Sequence, residues 1–500
     1  MPSTSRRPER AASRSNGRRP EGGRRAAPAV NPIATLLFVA AFPAVILFGV
    51  WQYAQSRDGS EPPAPDTVAE YPSVAPATPV LSARRTPEVL ARETSMTAFE
   101  GALRPLGGSV LPGSCAAVDV DGVLALADEI DTAVTPASVL KLVVGAVALD
   151  VLGPEYTFTT QVKAEIVGGT VGSLYLVGGG DPLLSASWYP DDQRFVRYPQ
   201  QPATSLEALA DAVVQAGVTQ VGGNVVGDAS RYDAEIYPPT WPIAFRAVEG
   251  GPIGSLLVND GAVLGIGVRT NDPALGAAEE FVRLLRERGV VVVGQATSGV
   301  APTELAAIAS VSSAPFSDVL RHMLSTSDNN SAEMLLKEIG VAMRQAGSRA
   351  SGIAAVVETL TRWGVSTDGF EMVDGSGLSR ENKVTCRTIL EILDRFDERS
   401  VLYQALPLAG RDGTMAQYFV GDPMEGRLVA KTGSLTGVKA LAGYVPFDGG
   451  GLVSFVVLLE GQGVSDDATF RPIWEGYLSD AMITYPSGPT ADRLLPMPPS

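Results

Sequence analysis

The chain has 500 residues, 45% hydrophobic and 19% charged, and 39 Lys+Arg against 55 Asp+Glu give a net charge of −16. That length calls for two or three domains, and the acidic balance argues against nucleic acid as a partner, which would need a basic surface. One histidine, His322, and two cysteines exclude zinc sites built on several His or on four Cys. No metal and no cofactor is expected.

The charge is uneven. Residues 1–32 hold eight Arg against Glu9 and Glu21, net +6, which leaves −22 for the rest. This stretch is poor in apolar residues and reads as a disordered basic tail. Residues 33–51 form an almost unbroken apolar run, interrupted by Pro43, whose length suits the hydrocarbon core of a bilayer. With the arginines before it, the positive-inside rule keeps the N-terminus cytoplasmic and exports the remainder. No small-x-small cleavage site follows, so the run reads as an uncleaved transmembrane anchor in the cytoplasmic membrane rather than a removed signal peptide. Residues 52–95 are a linker, with seven prolines between 61 and 90 that favour extended segments.

The body opens with two apolar runs, 114–120 and 123–127, around Asp121-Gly122, a hairpin signature. Near its end, 439–445 and 452–460 flank Asp448-Gly449-Gly450-Gly451 and predict another. Helical stretches at 330–344 and 387–396 lie between. Strands at both ends with helices between them give an α+β fold with an antiparallel sheet flanked by helices. Residues 155–303 are rich in Gly and Val, with short strand-like pieces at 170–177, 220–227 and 290–294. They read as an inserted, mostly β domain splitting a discontinuous domain of 96–154 and 304–485. Residues 486–500 are Pro-rich and expected to be a flexible tail.

Three short motifs carry candidate chemistry. In Thr135-Pro136-Ala137-Ser138-Val139-Leu140-Lys141, Thr135 suits an N-cap and Pro136 the first helical position. Ser138 then lies in the first turn, with Lys141 three residues on and on the same face. A serine at a helix start has its own N–H free to hold an oxyanion. A lysine beside it can take the hydroxyl proton if burial or nearby positive charge lowers its pKa. With a single histidine in the chain, a Ser–Lys pair is the natural nucleophile and base; of the six lysines only Lys141 has a Ser three before it. The same four residues also describe an ordinary capped helix. Ser327-Asp328-Asn329 precedes a helix and by itself reads first as its N-cap; the functional alternative makes Ser327 a proton relay and Asn329 an amide contact. Lys431-Thr432-Gly433-Ser434 follows a short strand at 427–430. Its Lys and hydroxyls could bind a carboxylate, and Gly433 lets a ligand backbone approach; the bland alternative is a strand end with a turn.

Ser-x-x-Lys, Ser-Asp-Asn and Lys-Thr-Gly in this order are the signature of β-lactamases and penicillin-binding proteins. Beyond the triplet, 174–182, Gly227-Asp228, Tyr232-Asp233, 374–380, 406–410 and Asp412-Gly413-Thr414 also match. The chain resembles the serine D-Ala-D-Ala carboxypeptidase/endopeptidase family, the low-molecular-mass class C penicillin-binding proteins, in an actinobacterial-looking, membrane-anchored form. The resemblance implies a penicillin-binding/serine β-lactamase-like catalytic domain. It implies that Ser138 is acylated by the D-Ala-D-Ala bond of peptidoglycan stem peptides, with Lys141 as base. Ser327 would relay a proton to the leaving amine, and Asn329 would hold Lys141 and the substrate amide. Lys431 and Thr432 would serve Ser327 and the terminal carboxylate, Gly433 would give the substrate room, and the N–H groups of Ser138 and Ser434 would form the oxyanion hole. β-Lactams would be inhibitors. A β-lactamase-like hydrolase and a non-catalytic protein binding peptidoglycan or a divisome partner are the rival readings. His322, on the helix before Ser327, reads as a packed or surface residue. An exported location permits a Cys115–Cys386 disulfide, though sequence does not bring the two together.

Overall fold

The computed structural model describes residues 45–53, 56, 82–190, 192, 198–246, 248–265, 267–448 and 450–496. The basic tail, most of the apolar run and most of the linker lie outside them. Residues 45–53 are helical and exposed, and among the described residues no helix is long and apolar enough to cross a membrane.

The main sheet has five antiparallel strands. β1 (Cys115–Val120) and β2 (Val123–Asp128) form the hairpin predicted from Asp121-Gly122, both of which have positive φ, as a type I′ turn requires. After a long excursion the chain returns as β8 (Val429–Leu435), β9 (Val438–Pro446) and β10 (Leu452–Glu460), so the spatial order is β8-β9-β10-β1-β2. Residues of β1 and β10 alternate between two cores. Cys115, Ala117, Val456 and Leu458 face a helical layer, and Ala116, Val118, Phe455 and Val457 face the opposite side. A sheet covered on both faces reads as continuous apolar sequence, which is how these strands look.

One covering layer contains α1 (Pro87–Gly107) and the helical segment 467–482, which share Phe99, Leu103, Phe470 and Trp474 with the sheet. The linker boundary at 95 is therefore corrected: Pro87 sits at the first turn of α1, where its missing N–H costs nothing. The tail is corrected too. Gly488 N donates to Ser95 Oγ at 3.0 Å and Leu494 is buried, so the stretch 486–494 is held on the body. On the other face α2 (Leu140–Leu152) is buried along most of its length, among α5 (Phe316–Thr326), α6 (Asn329–Arg344), α7 (Arg349–Trp363) and α8 (Cys386–Leu393). A helix that is apolar all round belongs at the centre.

The inserted region has its own core. Its five-stranded sheet runs β6 (Ala296–Ser298), β5 (Val225–Asp228), β4 (Leu174–Val177), β3 (Thr159–Lys163), β7 (Ala307–Ser312). The sheet is mixed: β5 is parallel to β4 and β6, while β3 is antiparallel to β4 and β7. The mostly β expectation is corrected by α3 (Leu206–Gln215) and α4 (Pro273–Glu287), which cover this sheet as parallel strands require. The boundary moves as well, since β7 lies beyond 303 and closes the edge beside β3.

Cys115 on β1 and Cys386 at the start of α8 are joined, with Cα atoms 6.0 Å apart across 271 residues of sequence. The bond ties the sheet to the helical layer and restricts a long loop in the unfolded chain. Replacing both cysteines with alanine should lower unfolding stability by about 2–4 kcal/mol, read from a shifted denaturation midpoint; an unchanged midpoint would contradict this.

Candidate active site

Ser138 sits in a single 3-10 turn, Ala137–Val139, that leads into α2. Ala137 has φ 45°, a conformation a side chain rarely adopts, and the surroundings hold it there. Gly377 (φ 82°) lies against its carbonyl, where a Cβ would stand only 1.9 Å from the oxygen. On the other side a Cβ on Gly433 would come within 2.8 Å of the Pro136 carbonyl. The turn is thus pinched between two close backbone approaches. Thr135 does not cap a helix as expected. Its N–H and hydroxyl both donate to Glu460 at the end of β10, at 2.9 and 3.0 Å. Lys383 also reaches Glu460, at 3.2 Å. Burial opposes the Glu460 charge, but these contacts hold its carboxyl below the ordinary range.

Lys141, in the first turn of α2, is fully buried. Its Nζ donates to Ser138 Oγ (2.9 Å), Asn329 Oδ1 (2.7 Å) and the Ser376 carbonyl (2.6 Å). Burial lowers its pKa from the ordinary lysine value to about 8, against the pull of Asp328, Asp374 and Glu333. The lowering arises from burial rather than from a neighbouring cation.

Ser327 ends α5 in the left-handed conformation (φ 64°) and Asp328 caps α6, accepting from Ser331 N at 2.7 Å. The cap reading of this tripeptide therefore holds for Asp328, while Asn329 opens α6 and reaches Lys141. Asn329 Nδ2 donates to the Glu249 carbonyl at 2.6 Å. The Lys-Thr-Gly-Ser motif lies within β8 rather than after a strand. Lys431 is fully buried and its Nζ donates to the Thr432 carbonyl at 2.8 Å; burial and the charge of Lys141 hold its pKa well below the lysine range. Thr432 Oγ1 bonds Thr414 Oγ1 at 2.9 Å.

These residues meet at a cleft of about 480 Å³ lined by Ser138, Ser327, Asn329, Thr432, Gly433 and Ser434. Lys141 and Lys431 lie buried behind it. β8 is an edge strand whose start is covered by the Leu408–Val429 bridge. His322 is buried on α5 and lines the cleft, but Lys141 is the group bonded to Ser138.

Sequence reasoning missed the supports. Glu333 accepts from the N–H groups of Gly375 (2.9 Å) and Ser376 (2.8 Å); burial first, then Asp374, raise its pKa to about 7. Asp374 accepts from Gly377 N, Ser379 N, Asn382 Nδ2 and Trp241 Nε1. The 374–377 turn was visible as a segment, but a backbone carbonyl serving a lysine leaves no signature in the sequence. Among the described residues no cluster of His, Cys, Asp or Glu could hold a metal ion.

A serine hydrogen-bonded to a buried lysine, beside an antiparallel edge strand, sits here in a penicillin-binding/β-lactamase-like fold. The sequence profile of the D-Ala-D-Ala carboxypeptidase 3 (S13) family matches residues 111–264 and 252–475, and the chain belongs to that family. It is 32% identical over 393 residues to a D-alanyl-D-alanine carboxypeptidase of Actinomadura sp. (strain R39), covering 64% of this chain and 72% of that one. It is 30% identical over 462 residues to carboxypeptidase DacB of Mycolicibacterium smegmatis, covering 89% and 95%. The fold is similar to the crystal structure of penicillin binding protein 4 (dacB) from Haemophilus influenzae, with a TM-score of 0.66 at 21% identity over 77% of this chain and 99% of that one.

Two outcomes follow from the geometry. Proton transfer from Ser138 to Lys141 requires a neutral amine, present above about pH 8 and lost below it. The rate of Ser138 acylation should rise with pH through that region; a flat profile from pH 6 to 9 would contradict this. Gly377→Ala would push the Ala137 carbonyl and displace the serine turn, and activity should fall about 100-fold, measured as acylation rate.

Proposed function

We propose that the protein is a serine D-Ala-D-Ala peptidase acting on peptidoglycan stem peptides as a carboxypeptidase, with capacity for cross-link cleavage. The observation that carries this reading is the Lys141 Nζ–Ser138 Oγ hydrogen bond of 2.9 Å within a buried socket completed by Asn329 and Ser376. Ser138 Oγ attacks the carbonyl carbon of the penultimate D-alanine and Lys141 takes its proton. The N–H groups of Ser138 and Ser434 hold the oxyanion. Collapse breaks the C–N bond, and the leaving amine takes a proton through Ser327, supported by Lys431. Water then attacks the acyl carbon and restores the Ser138 hydroxyl. Asn329 orients Lys141 and the substrate amide. Thr432 meets the terminal carboxylate, and Gly433 admits the substrate backbone along the β8 edge.

The catalytic body works outside the cytoplasmic membrane, held by an uncleaved apolar anchor at 33–51 with residues 1–32 in the cytoplasm. The disulfide suits an oxidising compartment and supports export. A β-lactam presents a strained amide to the same serine and would leave a persistent acyl-enzyme.

The test uses the full-length protein with monomeric and cross-linked muropeptides of defined structure, followed by mass analysis. Release of D-alanine is expected, with an adduct of one fluorescent penicillin per chain. Ser138→Ala should abolish both; labelling that survives in this variant would remove Ser138 from its role. Rapid penicillin turnover without D-alanine release would favour a β-lactamase instead.

A further inference from the structure

The six lysines have different surroundings. Lys141 and Lys431 belong to the site, Lys337 pairs with Asp233 at 2.6 Å, Lys383 pairs with Glu460, and Lys163 is partly exposed on β3. Lys439 stands apart. It is 9% exposed and lines the catalytic cleft, yet among the described residues no carboxylate lies within ion-pair distance of it. Its Nζ lies 4.4 Å from the centroid of the Phe470 ring, a partial compensation for lost water. Burial lowers its pKa and Arg471 adds to this, while Asp467 opposes it. Asp467 pulls on it from beyond ion-pair distance and is itself paired with Arg471, so a shielded lysine with no contacting carboxylate favours an anion from elsewhere.

Its position says which anion. Lys439 on β9 is directly opposite Ser434 on β8, so the two Cβ atoms share one face of the sheet, about 5 Å apart. Thr432, two residues back along β8, points to that same face and bonds Thr414. Trp474, also on this wall, has a buried indole Nε1 without an acceptor among the described residues. The wall therefore offers cation and donors. The acidic lining residues Glu249, Asp260 and Asp328 come from the inserted region and the start of α6.

We propose that Lys439 is a specificity-determining residue that binds the free carboxylate of the departing residue, the one on the carbon bearing the scissile nitrogen, beside Thr432 and Ser434. This rests on the peptidase reading above and narrows its substrates. Peptides ending in a free D-Ala-D-Ala acid are favoured over their amides. Cross-links whose departing carbon carries a free carboxylate are cleaved, and those where it is amidated or absent are poor substrates.

The experiment compares D-alanine or D-alaninamide release from a peptide acid and its amide, using full-length wild type, Lys439→Gln and Lys439→Arg. The kcat/KM ratio of acid to amide should fall at least about tenfold in Lys439→Gln, the loss expected for a charge-assisted contact, and be largely kept in Lys439→Arg. A wild type without preference overturns the proposal, and so does a Lys439→Gln variant whose rates on acid and amide fall together. Wild type inactive on both peptides would instead overturn the peptidase reading. The Lys439 inference is then read from acylation by penicillin against its methyl ester, and equal rates for the two would reject it.

Discussion

A lysine ammonium taken wholly out of water is the constraint on which the rest of this structure depends. Lys141 has three acceptors, and each comes from a different part of the chain: a hydroxyl from the 3-10 turn, an amide oxygen from α6 and a carbonyl from the 374–377 turn. Desolvation of a charged amine is expensive, and it outweighs three carboxylates that pull the other way. The amine is thereby poised to lose its proton near pH 8 while its hydrogen bonds hold it against Ser138. The supporting carboxylates work through backbone geometry. Glu333 and Asp374 gather N–H groups on either side of Ser376, which turns its carbonyl toward Lys141.

The inserted region is part of that socket. Asn329 Oδ1 accepts from Lys141, so its Nδ2 must donate, and it does so to the Glu249 carbonyl. The amide orientation is thus set from two sides. The segment supplying Glu249 is itself clamped onto α6 and α7 by Arg231–Glu338, Lys337–Asp233 and Arg349–Glu235. Trp241 reaches Asp374, and Asn330 holds Gly251 N at 2.8 Å and Asp260 at 3.2 Å. Shifting this segment would release the acceptor of Asn329 and the donor on Asp374 together. An insertion with its own layered core is therefore coupled to Lys141 and Ser138 through a few polar contacts.

Hairpins and motif residues were legible because their signals are local. Asp121-Gly122 demands positive φ, and the apolar runs of β1 and β10 declare burial on both faces. The spacing of Ser138 and Lys141 already placed them within reach. What stayed hidden was long-range. Thr135 looked like an N-cap because that role is the commonest for a Thr-Pro pair, but Glu460, 325 residues away, offered its hydroxyl a charged acceptor. Glu333 looked like a helix-forming residue, and nothing in its neighbours announces the N–H groups it gathers from 42 and 43 residues on. The inserted region read as mostly β because short Val- and Gly-rich pieces resemble hairpins. Parallel pairing depends on partners far apart in sequence, which local periodicity does not reveal.

The three buried lysines of the site differ in how far the protein itself satisfies them. Lys141 has three acceptors, so its position is determined by the protein before any substrate arrives. Lys431 has the Thr432 carbonyl alone among the described residues, and the charge of Lys141 works against its own. Both being protonated in a dry site is the least favourable arrangement, so a proton leaving one strengthens the hold of the other. Lys439 has an aromatic face and, among the described residues, no oxygen acceptor. The less the protein supplies, the more an arriving anion gains by supplying it, because the desolvation cost was already met on folding. The gradient runs from Ser138 outward along β8 and β9. On the proposed reading it separates Lys141, whose amine takes the Ser138 proton, from Lys439, whose ammonium waits for a carboxylate.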